Sequence, residues 1–290
     1  MMTRVNSEVM SKIISADYCP LCSRVTRPVF QVQGSVPGHF LNVYHCHQCS
    51  AHFTAPLRFD YETYDEDLIT YYEAHRDYIL WRHNLIFDYL GAAFGMECGR
   101  FLDIGSGAGY SLEVAAKRGW YVQGVEPGNT LAEYSQKRHN GRVIHGYFSP
   151  DISASLQAAN PAGYDYLLID NVLEHISEPV VFMEQALSLL AEQGIALVAI
   201  PPVDWLRVLL GRNNWVRAHC RSAQFNLFYD PEQHVNYFSR RAMRRLIEQR
   251  LGYTLLPNRF HHSRILENPL ARLLRFETGY FFITRSTRKV

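Results

Sequence analysis

Three glycines, Gly105, Gly107 and Gly109, stand in the run LDIGSGAGYSL, directly behind a short apolar stretch and ahead of a helix-like one. Without a Cβ the backbone there can turn tightly and approach a ligand that a side chain would hit. The spacing is G-x-G-x-G, with Asp103 two residues ahead of the first glycine. A pyrophosphate cradle has little use for that carboxylate, whereas a ligand with an ammonium group does. Glu126 closes the next strand-like run, YVQGVE, where an acid can accept both hydroxyls of a ribose. Together these acids suggest a nucleoside that carries an amino acid. Two further polar stretches could act on a substrate. IDNVLEH ends another apolar run and brings Asp170, Asn171, Glu174 and His175, while YDPEQHVNYFS brings Tyr229, Glu232 and His234. A histidine of near-neutral pKa is the natural base for a hydroxyl or an acidic carbon. His175 and His234 are therefore the candidate bases, with Glu232 and Tyr229 as orienting groups.

A second constellation is metal-binding in type. Cys19, Cys22, Cys46 and Cys49 form C-x2-C-x23-C-x2-C, a set of thiolates that suits tetrahedral zinc and fills every coordination position. A closed site leaves no room for water or substrate, so the expected role is structural. His45 and His47 flank the second pair and could replace a cysteine. In the reducing, cytoplasmic compartment expected for this chain the two C-x-x-C pairs favour metal thiolates over disulfides, and Cys98 and Cys220 are left over as ordinary thiols.

These residues need elements to hold them. A chain of 290 residues with 47% apolar content can bury one large core and a small appendage. From Arg100 onward apolar runs alternate with helical patterns: RFLDIG, YVQGVE, RVIHG, YDYLLIDN and IALVAIPP as strands, and YSLEVAAKRG, TLAEYSQKRH and PVVFMEQALSLLAEQG as helices. That alternation predicts crossover units on a parallel sheet, an α/β doubly wound fold. A helix near 240–250 and late strands near YTLLP and GYFFITRS follow. The organisation expected is a zinc-binding, ribbon-like module at 1–58, a helical linker and cofactor cover at 59–98, and the main domain at 99–290 with a substrate-covering insertion at 203–236. No apolar run approaches the roughly 18 to 20 residues that span a bilayer, and the first residues lack a signal-peptide core. Net charge is +1, yet residues 1–202 carry 13 Lys+Arg against 22 Asp+Glu and residues 203–290 carry 16 against 6. The basic C-terminal third either attracts an anionic partner or is the solvated face of the helix SRRAMRRLIEQR.

LDIGSGAG, GVEPG, YDYLLIDNVLEHISEP and HVNYFSRRAMRRLI, in this order over residues 60–290, resemble the class I S-adenosylmethionine-dependent methyltransferases. The resemblance implies a Rossmann-like, mostly parallel seven-stranded sheet. It implies a loop of Asp103, Gly105, Ser106, Gly107, Gly109 and Tyr110 against the methionine part of the cofactor, and Glu126 with Pro127 at the ribose. It further implies Tyr147 and Phe148 flanking adenine with Asp151 nearby, and Asp170 and Asn171 near the reacting methyl group. Tyr71 and Tyr72 match an aromatic pair that folds over the cofactor in that family. The N-terminal cysteines are similar to those of sugar C-methyltransferases from polysaccharide and natural-product biosynthesis, although here Gln233 separates Glu232 from His234. The expected acceptor is a small molecule: a sugar, a nucleotide-linked sugar or a secondary metabolite. An RNA methyltransferase with a zinc finger and a non-catalytic nucleoside-binding scaffold are the alternatives.

Overall fold

The computed structural model describes residues 18–33, 40–55, 61–139, 142–201, 203, 234–257, 260 and 279–285, and at 32, 33, 55 and 61–67 the backbone alone. The two cysteine pairs bracket a small antiparallel sheet of β1 (Pro28–Gln33), β2 (Phe40–Cys46) and β3 (Ala51–Ala55). Two helices then lead to the main domain, α1 (Tyr61–Ala74) and α2 (Arg76–Phe94). α2 stops at Gly95, whose φ of 70° allows its N–H to fold back onto the carbonyl of Gly91.

The alternation expected from Arg100 onward is present: β4 (Arg100–Ile104), α3 (Tyr110–Lys117), β5 (Tyr121–Glu126), α4 (Asn129–Arg138) and β6 (Val143–His145). α5 (Pro150–Ala159), β7 (Tyr164–Asp170), α6 (Pro179–Ser188) and β8 (Leu190–Ala199) complete the parallel part. Beyond it lie β9 (Asn236–Phe238), α7 (Arg240–Arg244), β10 (Thr254–Leu255) and β11 (Tyr280–Thr284). The large sheet has the order β10-β11-β8-β7-β4-β5-β6, parallel from β8 to β6, with β11 antiparallel to β8. It is the mostly parallel seven-stranded, Rossmann-like sheet that the sequence leads one to expect.

Three features depart from or add to the sequence reading. α5 was not expected, although Ser149 caps it through the Ile152 N–H and Pro150 opens it. The helix near 240–250 is α-helical only through Arg244 and continues as a π turn over Arg245–Arg250. β9 leaves the large sheet and becomes the fourth strand of the small one, pairing antiparallel with β3. The cysteine module thereby shares one apolar core with the main domain: Cys19, Tyr44 and Phe53 pack with Phe238, Met243 and Ile247, and through them with Met183 and Phe281. The opposite face of the large sheet is covered by α2, whose Ile86, Phe87 and Leu90 join Phe101, Tyr166 and Phe282.

Candidate active site

The site lies at the carboxyl ends of β4, β5 and β7, where a doubly wound sheet opens its crevice. Gly105, Gly107 and Gly109 take φ values of +83°, +54° and +78°, a region closed to most side chains. The turn is anchored by the N–H groups of Gly105 and Ser106, which donate to the Val125 carbonyl at 2.8 and 3.0 Å. A Cβ on Gly107 would lie 2.6 Å from the Tyr72 hydroxyl, so the ring of Tyr72 lies against the loop. Tyr72 makes edge contacts with Tyr71 at 6.0 Å and with Tyr110 at 6.2 Å.

Both acids expected at the loop are buried beside it. Glu126 is 2% exposed and accepts the Gly107 N–H at 2.7 Å on Oε2 and the Gly128 N–H at 2.9 Å on Oε1. Pro127, between those two contacts, offers its carbonyl to His145 Nε2 at 3.2 Å. Asp103 is 3% exposed; its Oδ2 accepts the Ser111 hydroxyl and its Oδ1 has no hydrogen-bond partner. Burial pushes the Asp103 carboxyl up to about 8, against the opposing pull of the Ser111 hydroxyl. Ser106 Oγ is likewise buried without a hydrogen-bond partner. At the far end of β6, Tyr147 is exposed, Phe148 packs edge-on against Phe182 at 5.5 Å, and Asp151 is exposed in the first turn of α5.

At the end of β7, Asp170 does not point freely into the crevice. Arg82 of α2 grips both of its oxygens, and Arg82 also hydrogen-bonds Tyr280. Asn171 follows with φ +53°, an uncommon value for a side-chain-bearing residue, and its amide donates to Asp170 Oδ1 at 3.0 Å. A single 3-10 turn (Leu173–His175) comes next. It carries Glu174, which is 1% exposed with both carboxyl oxygens lacking a hydrogen-bond partner, and the half-buried His175. Burial pushes the Glu174 carboxyl up to about 8. His234, 59 positions later in the chain, lies beside them with its ring centroid 5.0 Å from that of His175, and burial lowers it to about 3. The other two expected acceptor-side residues, Tyr229 and Glu232, lie outside the described residues, as do Trp205, Trp215 and Phe228 of the expected insertion.

A profile of a methyltransferase domain family matches residues 72–258, well over half of the chain. The chain belongs to that family. It carries a methyltransferase domain on the mostly parallel seven-stranded sheet described above. A curated relative, the ubiquinone biosynthesis O-methyltransferase of Caulobacter sp. (strain K31), is 28% identical over 100 residues, 34% of this chain and 40% of that one. The chain thus spans about two fifths of the length of that relative. Among solved structures, the magnesium protoporphyrin IX methyltransferase of Synechocystis PCC 6803 has a TM-score of 0.48 at 14% identity, covering 71% of this chain and 83% of that one. The plantazolicin methyltransferase BpumL has a TM-score of 0.49 at 14% identity, covering 76% and 90%.

The four cysteines of the methyltransferase's N-terminal module converge, with all four sulfur atoms within 4.8 Å of one another and Cys22 Sγ to Cys46 Sγ at 3.7 Å. Tetrahedral zinc with Zn–S bonds of about 2.3 Å sets sulfurs about 3.8 Å apart, so the set fits that ion. The residue after each pair, Ser23 and Ser50, has φ of +56° and +59°, and the two pairs are therefore built as matching turns. The N–H of Cys49 donates to Cys46 Sγ at 3.4 Å. Among the described residues no helix is long and apolar enough to cross a membrane.

Several residues that shape the site were not singled out in the sequence. Arg82 sits among the aromatic and aliphatic residues of α2, and that lone charge in an apolar stripe was the available signal. Ser111 stands in the first turn of α3 and meets Asp103. Thr54 of β3 donates its hydroxyl to the His234 carbonyl at 3.0 Å, and its N–H donates to the Val235 carbonyl at 2.9 Å.

Proposed function

We propose that this chain transfers the methyl group of S-adenosylmethionine to a small-molecule acceptor at the carboxyl end of β7, in a fold braced by structural zinc at Cys19, Cys22, Cys46 and Cys49. The observation that carries the reading is the open glycine turn flanked by two buried carboxylates, one of which keeps an oxygen unpartnered. That orphaned Asp103 Oδ1 suits the ammonium group of the cofactor, and Glu126 suits the ribose hydroxyls. Gly105, Ser106, Gly107, Gly109 and Tyr110 would line the methionine part with Tyr72 over them, and Pro127, Tyr147 and Phe148 would face the nucleoside. When bound, the cofactor supplies a methyl group already activated by its sulfonium.

The chain's own task is positioning and the exclusion of water. Asn171, held in its left-handed conformation beside the Arg82-clamped Asp170, would border the reacting centre. His175 would take the acceptor's proton, since a half-buried imidazole remains open to substrate. His234, which burial keeps neutral, would orient the acceptor, with Tyr229 and Glu232 assigned to the same side from the sequence. The acceptor class is a sugar, a nucleotide-linked sugar or a secondary metabolite, and the small-molecule reading is supported by the O-methyltransferase relative. Arg240, Arg241, Arg244 and Arg245 line a cavity of about 500 Å³ on the basic helix, a surface that would attract an anionic acceptor. The test is labelled methyl transfer to a panel of nucleotide sugars, small phenolic and sugar metabolites, and bulk RNA. Label in a small molecule is expected. Label confined to RNA would assign those arginines to nucleic acid, and cofactor binding with no labelled product on any acceptor would make the chain a binding scaffold.

A further inference from the structure

We propose that Glu174, His175 and His234 form a second metal site, for a divalent transition cation such as zinc, that binds and polarises the acceptor. Each of the three offers one ligand atom, and these atoms lie within 4.8 Å of one another. Two imidazoles and one carboxylate are the donor set of zinc sites that keep positions open for water or substrate, and of facial three-ligand sites for other transition cations. Magnesium and calcium prefer all-oxygen sites, so the chemistry of the donors selects a borderline-soft ion.

The second observation is Glu174 itself. It is 1% exposed, and neither carboxyl oxygen has a hydrogen-bond partner. Burying a carboxyl without a partner is costly, and buried charges are ordinarily paired or bound to metal. No cation among the described residues pairs with it, in contrast to Asp170, which Arg82 neutralises. The three ligands are also set in place by backbone contacts from separate elements. The Glu174 carbonyl accepts the Val235 N–H at 2.9 Å, the His234 carbonyl accepts the Thr54 hydroxyl at 3.0 Å, and the Asn236 amide donates to the Ile176 carbonyl at 2.6 Å. Bonds of about 2.0 to 2.2 Å put tetrahedral ligand atoms about 3.4 Å apart, a spacing that lies inside the 4.8 Å within which the three ligand atoms fall.

This inference rests on the methyl-transfer reading and sharpens its acceptor half. With a cation in place the imidazoles serve as ligands, and a hydroxyl bound to the open position loses its proton more readily. A free histidine base is then unnecessary.

The test is zinc stoichiometry by elemental analysis of the whole chain, equilibrated with zinc alone and desalted. Wild type is expected to hold about two zinc ions, one at the cysteines and one here, while Glu174→Gln and His175→Gln each hold about one. Circular dichroism reports whether each variant is folded, and His175→Gln, at a half-buried position, serves if Glu174→Gln is not. About one zinc in the wild type, or an undiminished count in folded His175→Gln, overturns the proposal. Cofactor affinity measured alongside separates the two readings: lost cofactor binding in the wild type would defeat the methyl-transfer reading and leave the zinc count as it stands. Turnover that survives removal of the second zinc would return the acceptor's proton to His175.

Discussion

Asp103 and Glu126 are acids on either side of the glycine turn with different partners, and each makes a distinct expectation. The folded value of Asp103, about 8, stands above its ordinary 3.8 because burial disfavours the charge. Folding therefore takes up a proton between those values, and the stability of the protein without cofactor falls as pH rises toward 8. From pH 6.5 to 7.5 the Asp103 contribution is about 1.4 kcal/mol per pH unit. Melting curves across that window should show Asp103→Asn with a flatter dependence than wild type; equal slopes would mean the carboxyl is ionised in the folded state. Glu126 instead receives two backbone N–H groups. Replacing it by Gln turns an amide donor toward one of them, and a charged hydrogen bond of about 1.5 to 3 kcal/mol is lost. Calorimetry should show S-adenosylmethionine bound about ten- to a hundredfold more weakly, and unchanged affinity would place the nucleoside elsewhere. Both acids were legible from their positions at strand ends beside a glycine turn. Their internal partners were not, because a serine in the first turn of the next helix and two backbone amides leave no distinctive mark in a sequence.

Helix α2 does more than link two modules. It seals one face of the large sheet and inserts Arg82 against Asp170 and Tyr280, a buried ion pair with side chains 13% and 10% exposed. Removing one partner of such a pair typically costs about 3 to 5 kcal/mol, because the other charge is left uncompensated. Arg82→Met should lower stability by about that amount in urea titrations, and adding Asp170→Asn should recover part of it. Additive losses in the double variant would show that the two side chains do not interact. Strands and helices from β4 to β8 were legible because glycines punctuate them and their periodicity is local. α5 escaped because its weak apolar face is read less easily than its cap, although Ser149, Pro150 and Asp151 are a regular helix start. The π turn after α7 left no signal, since Arg245 to Arg250 keeps a helical pattern while the hydrogen bonding changes.

At the scale of the whole molecule, the cysteine module is tied to the segment that carries His234, on the proposed acceptor side. β3 joins them: it follows Cys49, pairs with β9, and fixes the carbonyl of His234 through Thr54. Thr54→Val deletes that single bond at a cost of about 1 kcal/mol. It should reduce turnover several-fold while leaving cofactor affinity unchanged, and an unaltered turnover would show that the module only braces the core. No local pattern announces β9, because a three-residue strand is defined by a partner far away in the chain. The separation between Thr54 and His234 is 180 residues, and it sets a schedule for the growing polypeptide. At roughly 5 to 20 residues per second, the outer edge of β3 waits about 10 to 35 s on the ribosome for its partner strand. During that interval β3 presents an unpaired sheet edge of the kind that recruits other chains. A product truncated before residue 234 would therefore leave that edge of β3 without the partner strand that covers it in the whole chain.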